Sequence, residues 1–173
     1  YIGNVTGYGI TDKLNIEIEA GYYINKTVRF PEDDPNPLIA GSSHSGKGLS
    51  NGVITGKYNI IHNQEKRFEW TISAGGKIPF RLEPIEENGT ALPIDIQPST
   101  GSFGYVIQSY LIKENSFSGI RFFLLNRYES NFKNNQDFKY GDTYINSFYM
   151  SKHLYFPWTK GDGLWTAILQ VRN

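Results

Sequence analysis

The run from Gly41 to Gly48 comes close to a phosphate-binding loop, with Gly41, Gly46 and Lys47 at the spacing such loops use to cradle phosphate. Gly48, however, stands where a Ser or Thr would hold a metal ion, and no helical pattern follows to offer its N-terminus. A flexible connecting loop is the better reading. Glu32, Asp33 and Asp34 with Asn36 could offer oxygen ligands to Ca²⁺. Pro31, Pro35 and Pro37 punctuate that run, and no acidic residue follows at calcium-loop spacing, so solvated loop charge is expected. Ser151 and His153 share one face of a strand, while Ser43, His44 and Ser45 lie in a long connection. A hydrolytic site needs a base in reach of the nucleophile and a third group to orient it. No nucleophile motif surrounds these serines, and His62, beside a turn, reads as solvated. The expectation is a chain that is not an enzyme, with no catalytic residue, metal ligand or cofactor.

More informative are charged residues that alternate with apolar ones. From Lys13 to Lys26, Leu14, Ile16, Ile18, Ala20, Tyr22 and Ile24 take one side; Asn15, Glu17, Glu19, Gly21, Tyr23 and Asn25 take the other. Only a strand with one apolar and one polar face reads that way. Phe68, Trp70, Ile72, Ala74, Gly76, Ile78 and Phe80 likewise oppose Glu69, Thr71, Ser73, Gly75 and Lys77. Weaker versions set Ile54, Tyr58 and Ile60 against Lys57 and Asn59, with Val53 out of pattern. Ile120, Phe122, Leu124 and Tyr128 oppose Arg121, Arg127 and Glu129, with Phe123 and Leu125 out of pattern. Trp165, Ala167, Leu169 and Val171 oppose Thr166, Gln170 and Arg172. With segments near 1–10, 102–114 and 141–156, eight strands and no helix are expected.

The connections alternate in length. Thr11-Asp12, Asn63 to Lys66, Glu114 to Ser116 and Thr159 to Gly163 are short; those near 30–48, 79–101 and 130–140 are long. An up-and-down antiparallel β-barrel crossing a membrane does this, with tight turns on one rim and long loops on the other. That topology predicts a single barrel domain over 1–173, incomplete at both ends and part of a barrel of ten strands or more.

Composition agrees. Aromatic residues make up 15% of the chain, with 12 Tyr, 11 Phe and 18 Gly, which favours strands and turns. Lys plus Arg and Asp plus Glu each number 17, so the clustered positive surface that nucleic acid requires is not expected. Cysteine is absent, which excludes disulfides and thiolate metal sites. No stretch reaches the roughly 18–20 apolar residues of a membrane helix, which says nothing about strands.

The hairpin from Gly7 to Tyr23, the segments Gly48 to Ile61 and Ile72 to Phe80, and Leu92 to Leu111 resemble a family of outer-membrane β-barrel transporters labelled for the meta-pathway of phenol degradation. Gln97, Pro98, Thr100, Gly101 and Ser102 match its Q-P-G-(T/S)-G-S run, with Ser99 in place of Gly. The resemblance implies a Gram-negative outer membrane, contact with lipid and lipopolysaccharide, and a channel or transporter for small, hydrophobic or aromatic solutes. Glu17, Glu19, Lys57, Glu69, Lys77, Arg121, Arg127, Glu129 and Arg172 would then face the lumen. Mixed signs in similar numbers favour charges that pair across the lumen over a selective charged ring. Two other readings stay open: a soluble, lipocalin-like ligand-binding barrel, whose apolar face would line a cavity, and a structural barrel without transport. Oligomeric state is not legible.

Overall fold

Period-two alternation makes the chain all-β. A computed structural model describes residues 1–33, 41–87, 89–154 and 165–173. Its strands are β1 (Ile2–Gly9), β2 (Leu14–Arg29), β3 (Ser43–Leu49), β4 (Gly52–Asn63), β5 (Phe68–Ile78), β6 (Glu86–Glu87), β7 (Thr90–Ala91), β8 (Gly104–Asn115), β9 (Ile120–Asn131), β10 (Thr143–Leu154) and β11 (Trp165–Arg172). Eight long strands pair antiparallel in the order β1-β2-β4-β5-β8-β9-β10-β11. The sheet curls into a half-barrel. Glu19 on β2 bonds Arg127 on β9 at 2.9 Å, although the two strands lie four places apart. Four strand spacings span roughly 19 Å of flat sheet, so only strong curvature brings those side chains together.

Two connections are not the plain loops expected. Within 30–48, the glycine-rich run forms β3, which pairs with the far half of β2, as in Thr27 opposite Ser45. A strand, not a loop before a helix, therefore occupies the near-phosphate motif. The sixteen residues of β2 are long enough to carry β4 on one half and β3 on the other, with a two-residue break at Ser50 and Asn51 between them. The 79–101 connection contains β6, β7 and a 3₁₀ turn at Ile94–Ile96, and folds back over the concave face. Gly46 permits that approach, since a Cβ there would lie 2.2 Å from the Ile96 carbonyl oxygen.

The short turns are set by local side-chain bonds. Thr11 Oγ1 accepts from the backbone N–H of Leu14, and Asn63 Oδ1 from that of Lys66. Asn115 Oδ1 accepts from Phe117 and Ser118, and Gly119 (φ 64°) closes the turn. Glu114 and Asn115 thus end β8, and the turn itself is 116–119 rather than 114–116. Thr159 to Gly163, and Asp34 and Asn36 of the acidic cluster, lie outside the described residues.

Register fixes which face is which. Ile16, Ile18, Ile54, Tyr58, Ile72, Ile107, Phe148, Leu169 and Val171 lie on the convex face and are exposed. Among the described residues, only Val53, Leu92, Ile96 and Val106 are buried aliphatics; Thr55, Ser73, Lys77, Gln108, Asn131 and Ser147 are buried polar ones. Val53, Phe123 and Leu125 broke the sequence pattern because they sit on the concave side, opposite Lys77, Ile112 and Tyr110. Tyr23 is also concave, its ring 4.8 Å from that of Tyr1.

Candidate functional site: a charged layer across the concavity

Six of the nine charged residues singled out by alternation meet in one layer. Lys57 Nζ donates to Glu17 at 2.6 Å and lies 4.5 Å from the Tyr110 ring centroid. Arg127 bridges two carboxylates: Nη1 lies 2.9 Å from both oxygens of Glu19, and Nε donates to Glu129 at 2.6 Å. Lys77 Nζ lies 3.6 Å from Glu129 and donates to Asn131 Oδ1 at 2.8 Å. These side chains are mostly withdrawn from solvent, Arg127 being 16% exposed. A guanidinium suits this place because its planar fork serves two acceptors at once.

The other three stand apart. Glu69 pairs with His62 at 3.0 Å near the short-turn rim. A register shift between Asn59 and Ile61 brings His62 opposite Glu69, so this histidine is partnered rather than merely solvated. Arg121 shares Glu114 with Arg67 at the same rim. Arg172 sits exposed on the last strand, opposite Ser147, and lines the cavity that Glu19 and Arg127 border.

Around Lys57 the wall carries four buried oxygens with no partner among the described residues: Asn15 Oδ1, Thr55 Oγ1, Asn59 Oδ1 and Ser73 Oγ. Asn15 and Ser73 flank Lys57 directly across the strands. Buried polar groups of this kind are ordinarily met by ordered water or a polar solute. Alternation implied these positions without singling them out.

Toward the long-connection rim lies a cavity of about 450 Å³, bordered by Glu19, Lys77, Arg127 and Glu129 and roofed by Gln97, Pro98 and Thr100. Gln97 fastens that roof: Oε1 accepts from the Ile85 N–H at 2.9 Å, and Nε2 donates to the carbonyls of Leu92 (2.9 Å) and Ile85 (3.2 Å). Its own carbonyl accepts from Lys26 Nζ at 3.2 Å. Asn51 Oδ1, just before β4, accepts from Ser99 Oγ, Thr100 N–H and Thr100 Oγ1. The Gln97 to Ser102 run is thus the clasp of an inward-folded segment.

Just before β10, Asp142 accepts from Tyr128 and Ser130 hydroxyls, each at 2.8 Å. The Tyr128 bond above all, then that from Ser130, holds its carboxyl below the usual carboxylate range. A carboxylate lowered in the folded state contributes fully above its unfolded pKa of about 3.9, and loses that contribution as pH falls through the lower folded value. A carboxyl NMR titration should therefore place the Asp142 midpoint below about 3.9. A midpoint at or above it would mean the two hydroxyl bonds do not form.

Ser151 and His153 both face the concavity, and His153 Nδ1 lies 3.0 Å from Thr166 Oγ1. Among the described residues, no group of three or more His, Cys, Asp or Glu side chains is placed to hold a metal ion. No protein-family model, curated protein or solved structure matches this chain.

Proposed function

We propose that this chain forms wall of an outer-membrane β-barrel of the Gram-negative type, with a constricted conduit for small solutes along its concave face. The observation carrying this reading is the inverted distribution of polarity. Isoleucine, leucine and aromatic side chains predominate on the convex face, while the charged pairs and buried Thr55, Ser73, Gln108 and Ser147 lie on the concave one, beside an apolar patch at Ile112, Phe123 and Leu125. In water such a distribution exposes a large apolar surface, whereas in lipid it satisfies both faces. The charged layer also argues against a lipocalin-like barrel, whose interior would be the apolar side. The resemblance of the Gln97 to Ser102 run to outer-membrane transporters points the same way. Lipid and lipopolysaccharide would be the outer partners, and the charged layer with its roof would limit passage to small solutes.

A pair of adjacent residues tests the membrane half. Ile107 is convex and exposed; Gln108 is concave and buried. In bilayer-reconstituted protein, a nitroxide at Ile107→Cys should be relaxed by dissolved oxygen and not by a water-soluble nickel chelate. A label at Gln108→Cys should lack that lipid signature. Equal water exposure at both, in a protein that stays monomeric without detergent, would overturn the reading. Solute flux through liposomes then tests transport separately.

A further inference from the structure

We infer that the roofed cavity toward the long-connection rim is a binding site for one small, hydrophilic organic anion, a carboxylate or a phosphate ester. The charges that border its roughly 450 Å³ do not balance: Glu19 and Glu129 face Lys26, Lys77, Arg127 and Arg172. Lys77 and Arg127 are committed to the two carboxylates as ion pairs. Lys26 and Arg172 are left over. Lys26 Nζ donates to the Gln97 carbonyl at 3.2 Å and lies 5.3 Å from the Tyr23 ring centroid, and neither partner carries a formal negative charge. Of the nine charged residues singled out by alternation, Arg172 is the one without an ion-pair partner among the described residues. Asp95 is exposed on the 3₁₀ turn and does not line the cavity; counting it still leaves a positive charge in excess.

That excess selects the occupant. A cleft of one sign between low-dielectric walls focuses its field and concentrates small ions of the other sign, by roughly 10- to 10³-fold. A cation is repelled, and a neutral molecule leaves the unmatched charges as they were. The volume lies within the roughly 300–1,000 Å³ of small-molecule sites, so the anion has room for an organic body. Ser50, Asn51, Thr100, Tyr23 and Tyr140 supply hydroxyl and amide groups around it, which suits a hydroxylated body better than a hydrocarbon one. The charged layer itself is balanced, so the attraction belongs to the cavity. The inference rests on the conduit reading, since it names a solute class for that lumen, yet its test needs neither a bilayer nor flux.

The chain has no cysteine, so single thiols report cleanly. Val53→Cys, with Ser50→Cys as a second reporter should the first fail to fold, places a thiol in the cavity. Each variant, purified in a neutral detergent, is reacted with an anionic and a cationic methanethiosulfonate, both rates being normalised to a free thiol in solution. The anionic reagent should be favoured about tenfold. Lys26→Gln and Arg172→Gln together should abolish that preference. Lys47→Gln, which removes a charge from an exposed position outside the cavity, should leave it unchanged. Gluconate at ten times its dissociation constant should slow modification about tenfold, the occupancy factor for one site. Glucose, its neutral counterpart, should not protect at the same concentration. Equal rates for the two reagents, a preference that survives the double substitution, no protection by gluconate, or equal protection by glucose would each overturn the inference. Gluconate protection in a protein whose Ile107 label shows no lipid contact would keep the site while removing the membrane reading.

Discussion

Arg127→Met is expected to cost roughly 3 kcal/mol of stability, the lower end for breaking a withdrawn ion pair, because it strands two carboxylates at once. Glu19 and Glu129 lose the guanidinium that now reaches both across the curl of the sheet. Denaturant unfolding of the folded protein in detergent should show this as a lowered midpoint with an unchanged slope. The same variant tests the proposed conduit. Glu17, Glu19 and Glu129 balance Lys57, Lys77 and Arg127, three against three, so removing Arg127 leaves one net negative charge in that layer. In planar bilayers the variant should pass more current and prefer cations. Adding Glu19→Gln should recover part of the lost stability and reduce the cation preference, since the two residues act as one unit. Unchanged stability together with unchanged selectivity would mean that the layer neither braces nor gates the interior.

Gln97→Ala should loosen the inward-folded segment rather than the barrel wall. It removes three side-chain bonds, each worth about 1 kcal/mol net, so the docked segment loses roughly 2–3 kcal/mol. The wall strands do not depend on those bonds, and the global unfolding midpoint should move little. What should change is local: protease cleavage between Leu82 and Ile96 should quicken by at least tenfold, and small-solute flux in liposomes should rise. Asn51→Ala should act in the same direction, because its Oδ1 holds Ser99 and Thr100 from the other side. Faster cleavage without a change in flux would assign the segment a bracing role only.

How much of this was legible follows from the range of the interactions. Strand faces are local, and the two cleanest segments, Lys13 to Lys26 and Arg67 to Phe80, display them as uninterrupted alternation. The charged candidates were visible for the same reason. Which of them meet was not, since Glu19 and Arg127 are 108 residues apart and pair only through the curvature of the whole sheet. Phe123 and Leu125 looked like flaws in a strand because sequence shows one strand at a time; their meaning lies in Ile112 and Tyr149 on the neighbours. β3 was hidden because Ser43 to Leu49 carries little intrinsic strand preference and is held by its register on β2. Sequence reads Glu114 as the start of a turn, whereas it lies at the end of β8 and gathers Arg67 and Arg121 from the neighbouring strands' ends.

The scarcity of buried aliphatic side chains has a consequence for how such a chain reaches its fold. With Val53, Leu92, Ile96 and Val106 the only buried aliphatics among the described residues, closing the sheet in water removes little hydrocarbon from solvent. The usual driving force for collapse is then weak until the convex face meets an apolar phase. In the proposed outer-membrane setting, folding and insertion would be a single thermodynamic event, with the bilayer taking the place that a protein core fills elsewhere. Outside that setting the chain would gain little from compaction, and its alternating strands would be an aggregation hazard.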